Sequence, residues 1–92
     1  MPLFLIERSF AEELLVDDAM AAEVKHINDE IGVQWLYSFL SADKRKTYCL
    51  YEAPNAEAIR ASAKRLDIPA DVIIAVSEMR PEQFGTSIAT AG

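Results

Sequence analysis

KTYCLYEAPNAEAIR, residues 46–60, holds the clearest strand, the clearest helix start and the only cysteine of the 92-residue chain. Thr47, Cys49 and Tyr51 alternate with Tyr48, Leu50 and Glu52, the period-2 pattern of an extended strand with two distinct faces. Both faces are largely apolar. A strand of this kind belongs in the interior of a sheet covered on both sides, so a small chain has two covers to find. Ala53-Pro54-Asn55 ends the strand. Pro54 removes a ladder donor, and Asn55 is suited to cap a helix over residues 56–66 whose apolar stripe is Ile59, Ala63 and Leu66.

Working outward toward the N-terminus, residues 33–40 alternate Val33, Trp35, Tyr37 and Phe39 with Gln34, Leu36, Ser38 and Leu40. This is a second strand, with one face aromatic throughout, and the short polar segment 41–45 joins it to residues 46–52 as a hairpin. Before it, Asp17 and Asp18 suit a helix N-terminus by capping and by dipole. Met20, Val24, Ile27 and Ile31 form that helix's stripe and Gly32 closes it, which places the helix from about residue 18 to 31. Residues 2–10 alternate Leu3, Leu5, Glu7, Ser9 with Phe4, Ile6, Arg8, Phe10, a first strand interrupted by a charge pair. Glu7 and Arg8 read either as a rim salt bridge or as polar groups aimed into a cavity. Residues 11–15 read as a lead-in loop or as an early turn of the helix.

On the C-terminal side, Asp67-Ile68-Pro69-Ala70 breaks the second helix and residues 72–76, Val-Ile-Ile-Ala-Val, form the fourth strand. The domain is expected to span residues 1–81. Residues 82–92 are expected to be a flexible tail, small and polar from Gly85 onward. The order is then βαββαβ. Two right-handed βαβ units joined by a hairpin give an α+β, ferredoxin-like sandwich: a four-stranded antiparallel sheet in the order 4-1-3-2 with both helices on one face. Because the strands are apolar on both faces, the uncovered face calls for a second copy of the chain, and a homodimer packed sheet against sheet is expected.

Size and charge narrow the function classes. The chain makes one domain with a small core, and its hydrophobic fraction of 51% leaves apolar surface for a subunit interface or a ligand cavity. The net charge of −6 resides entirely in residues 1–32, where eight acids face Arg8 and Lys25, while residues 33–92 balance. The only basic run, Lys44-Arg45-Lys46, is too short for a phosphate-tracking surface, so nucleic acid is not an expected partner. No segment approaches the ~20 apolar residues that cross a bilayer, and Leu3-Phe4-Leu5-Ile6 is too short for a signal sequence. A single cysteine cannot form an internal disulfide, which points to a reducing, cytoplasmic setting without a membrane partner.

No Gly-rich phosphate loop, cysteine pair or HExxH motif is present. Glu23, His26 and Glu30 stand at i, i+3 and i+7 on the first helix, a row that reads as a solvated acidic face or as a weak divalent-metal site. Cys49 reads as a small interior hydrophobe or as a soft ligand. Trp35, Tyr37, Tyr48 and Tyr51, on hairpin-paired strands, read as core and dimer contacts or as the walls of a small-ligand pocket.

Tyr48-Cys49, Tyr51, Ala53-Pro54-Asn55, Glu57 and Ile59-Arg60 form the pattern YCxYxAPNxExIR. With Ile6-Glu7-Arg8, Gln34-Trp35, Ser38 and Pro69-Ala70, it resembles a small bacterial family of ferredoxin-like proteins, largely of unknown function and in part nickel-binding. The resemblance spans most of residues 2–76. It implies the fold above and, for some members, a bound nickel ion. Where the family pattern continues Arg-x-His-Ala, this chain reads Arg60-Ala61-Ser62-Ala63. Serine is a weak ligand for nickel where imidazole is a strong one, so a metal site using that position is expected to be lost or weakened. Members also often carry a cysteine in the first helix, and none stands between Asp17 and Ile31 here.

The leading expectation is a dimeric binding module that holds a small ligand, or less readily nickel or another divalent metal, between its sheets. Its candidate ligand-binding residues are Glu7, Arg8, Trp35, Tyr48, Cys49, Tyr51 and Ser62, with no catalytic residue assigned. The alternative is a cofactor-free enzyme of the dimeric α/β-barrel type, monooxygenase- or isomerase-like, using Glu7 or His26. A purely structural dimer is the third class.

Overall fold

The computed structural model describes residues 1–84 and contains β1 (Leu3–Ser9), α1 (Asp18–Ile31), β2 (Gln34–Leu40), β3 (Lys46–Glu52), α2 (Ala56–Leu66), β4 (Val72–Val76) and a 3-10 turn at Pro81–Phe84. Apart from residues 82–84 in that turn, the expected tail lies outside the described residues. The strands form one antiparallel sheet in the order β2-β3-β1-β4, which is the order 4-1-3-2 read from the other edge. The βαββαβ ferredoxin-like architecture is therefore the one the sequence pattern specifies. No helix among the described residues is long and apolar enough to cross a membrane.

Local signals end the helices where composition places them. Asp17 is extended and its carboxylate accepts from the Met20 amide at 2.8 Å, while Asn55 accepts from the Ala58 amide at 2.9 Å. Each side chain satisfies an amide that the first turn leaves without a partner. Gly32 stops α1 at φ 90°, a left-handed conformation that a residue without Cβ adopts freely, and its amide returns to the Asn28 carbonyl at 2.9 Å.

Alternation along the two central strands separates the faces. Phe4, Ile6 and Arg8 of β1 are buried, as are their β3 partners Tyr51, Cys49 and Thr47. This is the helix face, where Phe4, Ile6, Val33, Cys49, Tyr51, Ala53 and Ile59 form the core. The opposite face carries Leu3, Leu5 and Glu7 beside Leu50 and Tyr48, flanked by Tyr37 and Phe39 of β2 and by Val72 and Ile74 of β4. Neither helix covers it, and Phe39 remains 65% and Ile74 49% exposed.

One detail of β2 corrects the sequence reading. Its aromatic residues do not share a face, because the register shifts between Trp35 and Tyr37. A bulge sets an extra residue against one on the partner strand and reverses which side follows. Trp35 accordingly pairs with Tyr51 on the helix face, and Tyr37 with Leu50 on the open face. Tyr37 and Phe39 then meet edge to face, with ring centroids 5.8 Å apart.

Candidate ligand-binding site

A cavity of about 150 Å³ lies between α1, the segment leading into it and the helix face of the sheet. The sheet contributes Arg8, Trp35, Ser38, Thr47, Cys49 and Tyr51, while α1 contributes Met20, Ala21 and Val24. Phe10, Leu14 and Val16 close one side and Ile68 another. The wall made by residues 10–16 has no repeating structure, yet it is held at defined points. The Phe10 amide donates to the Arg45 carbonyl at 2.8 Å and the Leu14 amide to the Lys44 carbonyl at 2.7 Å, while the Arg45 guanidinium donates to the Ala11 carbonyl at 2.9 Å. The turn between β2 and β3 thus braces the cavity wall.

Polar groups around this space are few. Trp35 Nε1 donates to Ser38 Oγ at 2.8 Å, a contact that the bulge makes available. Cys49 is buried, with its sulfur 3.6 Å from Thr47 Oγ1. The Arg8 guanidinium donates to the Pro69 carbonyl at 2.6 Å and lies 5.8 Å from the centroid of the Tyr51 ring. Burial holds the Tyr51 phenol above its ordinary pKa, and the hydrogen bond from Asn28 and the nearby Arg8 charge offset part of that rise.

Behind Tyr51 runs a second polar layer. Ser62 of α2 donates to Asn28 Oδ1 at 2.5 Å, and Asn28 Nδ2 donates to the Tyr51 hydroxyl at 3.4 Å. Ser62 and Asn28 are both buried. Ser62 therefore stays outside the cavity lining and reaches it only through Asn28 and Tyr51. Sequence reading missed Asn28. It lies four residues after Val24, on the apolar side of α1, and that placement was the available signal.

The structure divides the seven sequence-derived candidates. Arg8, Trp35, Cys49 and Tyr51 come together around the cavity on the helix face, and Ser62 stands behind them. Glu7 and Tyr48 instead face the open side of the sheet, where Glu7 is 2.5 Å from Lys46 Nζ and Lys46 lies 5.9 Å from the Tyr48 ring centroid. Successive residues of a strand point to opposite faces, so Glu7 and Arg8 cannot serve one site within a single chain. Neither Glu7 nor His26, the proton-transfer candidates of the enzymatic alternative, lines the cavity.

The row on α1 is solvated. His26 Nε2 is 2.9 Å from Glu30, which also binds Arg65 of α2 at 2.6 Å, and that hydrogen bond with the Arg65 charge holds the Glu30 carboxyl below its ordinary range. Among the described residues no three His, Cys, Asp or Glu side chains come together to hold a metal ion. Nickel favours imidazole and soft sulfur donors, and here the only imidazole is exposed on α1 while the only thiol is buried in β3. The described residues of one chain do not fit a nickel site.

A family model described as "Nickel responsive protein SCO4226-like" matches residues 4–76. Among solved structures, the crystal structure of SCO4226 from Streptomyces coelicolor A3(2) is similar at a TM-score of 0.72 and 20% identity, covering 85% of this chain and 99% of that one. At that identity the likeness is one of fold. No curated protein matches the sequence.

Proposed function

The chain belongs to the SCO4226-like family of nickel-responsive proteins, and on that premise we propose that it is a binding module rather than an enzyme. It holds a small molecule in the cavity between α1 and the sheet and pairs with a second copy through the open sheet face. The cavity carries the ligand-binding part: a concave, mostly apolar space with a few polar groups has the make-up of a small-molecule site, and its volume of about 150 Å³, below the usual ~300–1,000 Å³, restricts it to a compact ligand. It also moves the expected ligand position from between two sheets to the helix side of one.

The dimer rests on the open face. Leu3, Leu5, Leu50, Tyr37, Phe39, Val72 and Ile74 form a continuous apolar surface across all four strands, with the Glu7–Lys46 pair set into it. Contiguous apolar areas beyond a few hundred Å² are uncommon on monomers, and an isologous pairing of two such faces would bury both at once. Position 62, in this proposal, serves packing and hydrogen bonding rather than metal ligation. Nickel responsiveness in this member is then not carried by that residue.

Trp35 supplies the test, since it is the only tryptophan in the chain and lines the cavity. Titration with toluene as an apolar probe is expected to change its emission saturably. Ala21→Phe, which fills the cavity from α1, is expected to abolish the change. An unresponsive wild-type indole, or an undiminished response in Ala21→Phe, would count against the cavity as a binding site.

A further inference from the structure

Arg8 is a buried cation with no carboxylate partner among the described residues. It is 4% exposed on the central strand, and among the described residues no carboxylate lies within 4.0 Å of its guanidinium. The nearby acids are committed elsewhere: Asp71 accepts from the Ser9 amide at 2.7 Å, and Glu7 pairs with Lys46 on the far face. An arginine stays charged at any physiological pH and offers five N–H donors, so withdrawing it from water unpaired carries a large desolvation penalty. The Pro69 carbonyl and the Tyr51 ring offset only part of it. No buried side-chain nitrogen or oxygen among the described residues lacks a partner. The Tyr51 hydroxyl takes a further share of the guanidinium's hydrogen bonding, any guanidinium nitrogen left without a partner is not enclosed, and the space that Arg8 lines is the cavity.

The neighbouring hydroxyls are donors as well. Ser38 Oγ accepts from Trp35 and the Tyr51 oxygen accepts from Asn28, which leaves each with its own hydrogen to give. A space whose polar groups offer hydrogens and one positive charge suits a ligand that only accepts. Leu14, Val24 and Ile68 make the remainder apolar. An engineered apolar cavity of about 150 Å³ in another protein admits benzene, which sets the scale for the body of the ligand.

We propose that this cavity binds a compact apolar carboxylate of about the size of benzoate, its carboxylate on the Arg8 guanidinium and its body among Leu14, Val24 and Ile68. The assignment rests on the cavity being a ligand site at all. Calorimetric titration of the full chain with benzoate and with toluene separates the two claims. Benzoate is expected to bind at least tenfold more tightly than toluene. In Arg8→Met that advantage disappears while toluene still binds, with a cooperative unfolding transition confirming that the variant is folded. On the wild type alone, lowering the pH until benzoate is protonated removes its advantage and leaves toluene unaffected, which tests the assignment even if Arg8→Met does not fold. If toluene binds and benzoate binds no better, the anion assignment is overturned and the cavity reading survives. If neither binds, both fall. Tight benzoate binding that persists in Arg8→Met also overturns the assignment.

Discussion

The Ser62 hydroxyl donates to Asn28 Oδ1 at 2.5 Å, joining α2 to α1 through two side chains that are 3% and 2% exposed. A buried polar group deprived of its partner carries its full desolvation cost, whereas removing both partners together costs far less. Ser62→Ala is therefore expected to destabilise the chain by about 1–3 kcal/mol, and Asn28→Leu by a similar amount. The double variant should lose less than the sum of the two. Urea unfolding of all four proteins measures the coupling, and strictly additive losses would show that the two side chains act independently.

Restoring histidine at position 62 is not expected to restore nickel. The site is enclosed between two helices, and placing an imidazole where a hydroxymethyl group fits costs about 1–3 kcal/mol in overpacking. No further ligand group waits there among the described residues. Elemental analysis of wild type and Ser62→His, each purified with added nickel, should find both well below one ion per chain. Stoichiometric nickel in Ser62→His would restore position 62 as a ligand position, and stoichiometric nickel in the wild type would mean that the metal is held by other groups.

Light scattering should return a mass twice that of one chain. Phe39 and Ile74 stand on opposite edge strands of the open face. Replacing both with lysine sets unpaired charges into the proposed interface, where they cannot be solvated, and should give a folded monomer. A wild type that is monomeric at all concentrations would rule out the sheet-to-sheet dimer.

Tyr51 gives a prediction with a definite sign. Its phenol titrates above the ordinary value of about 10 because burial disfavours the phenolate. A folded-state pKa raised above the unfolded value contributes stability that is fully present below pH ~10 and declines as pH rises from there through the folded value. Ultraviolet difference titration should show one of the three tyrosines ionising late, and Tyr51→Phe should remove that late step. A late step that survives in Tyr51→Phe would place the perturbed phenol elsewhere.

Much of this molecule is legible in its residues because its elements obey simple periods and carry explicit stops. The strand at residues 46–52, the Asn55 cap and the Gly32 stop all occur where the pattern places them. The site was legible only in part. Alternation shows that Thr47, Cys49 and Tyr51 share a face, but not that this is the face the helices cover. It likewise separates Glu7 from Arg8 without saying which of them meets the ligand space. The bulge after Trp35 leaves no mark on the alternation, which predicts one aromatic face where the structure has two. Leu14 and Val16 belong to an aperiodic wall whose position is set by bonds to Lys44 and Arg45, contacts that no local pattern encodes. Asn28 breaks the apolar stripe of α1, and only the presence of Ser62 and Tyr51 opposite explains why a polar side chain is buried there.

In the proposed binding mode, ligand is held on the helix side of the sheet and not between two sheets. Amide and indole chemical-shift mapping during titration of the wild-type protein with toluene tests it most directly. Saturable shifts are expected at Trp35, Ser38, Ala21, Val24 and Ile68, with Tyr37, Phe39 and Ile74 unmoved. Shifts concentrated at Tyr37, Phe39 and Ile74, or none that saturate, would contradict it.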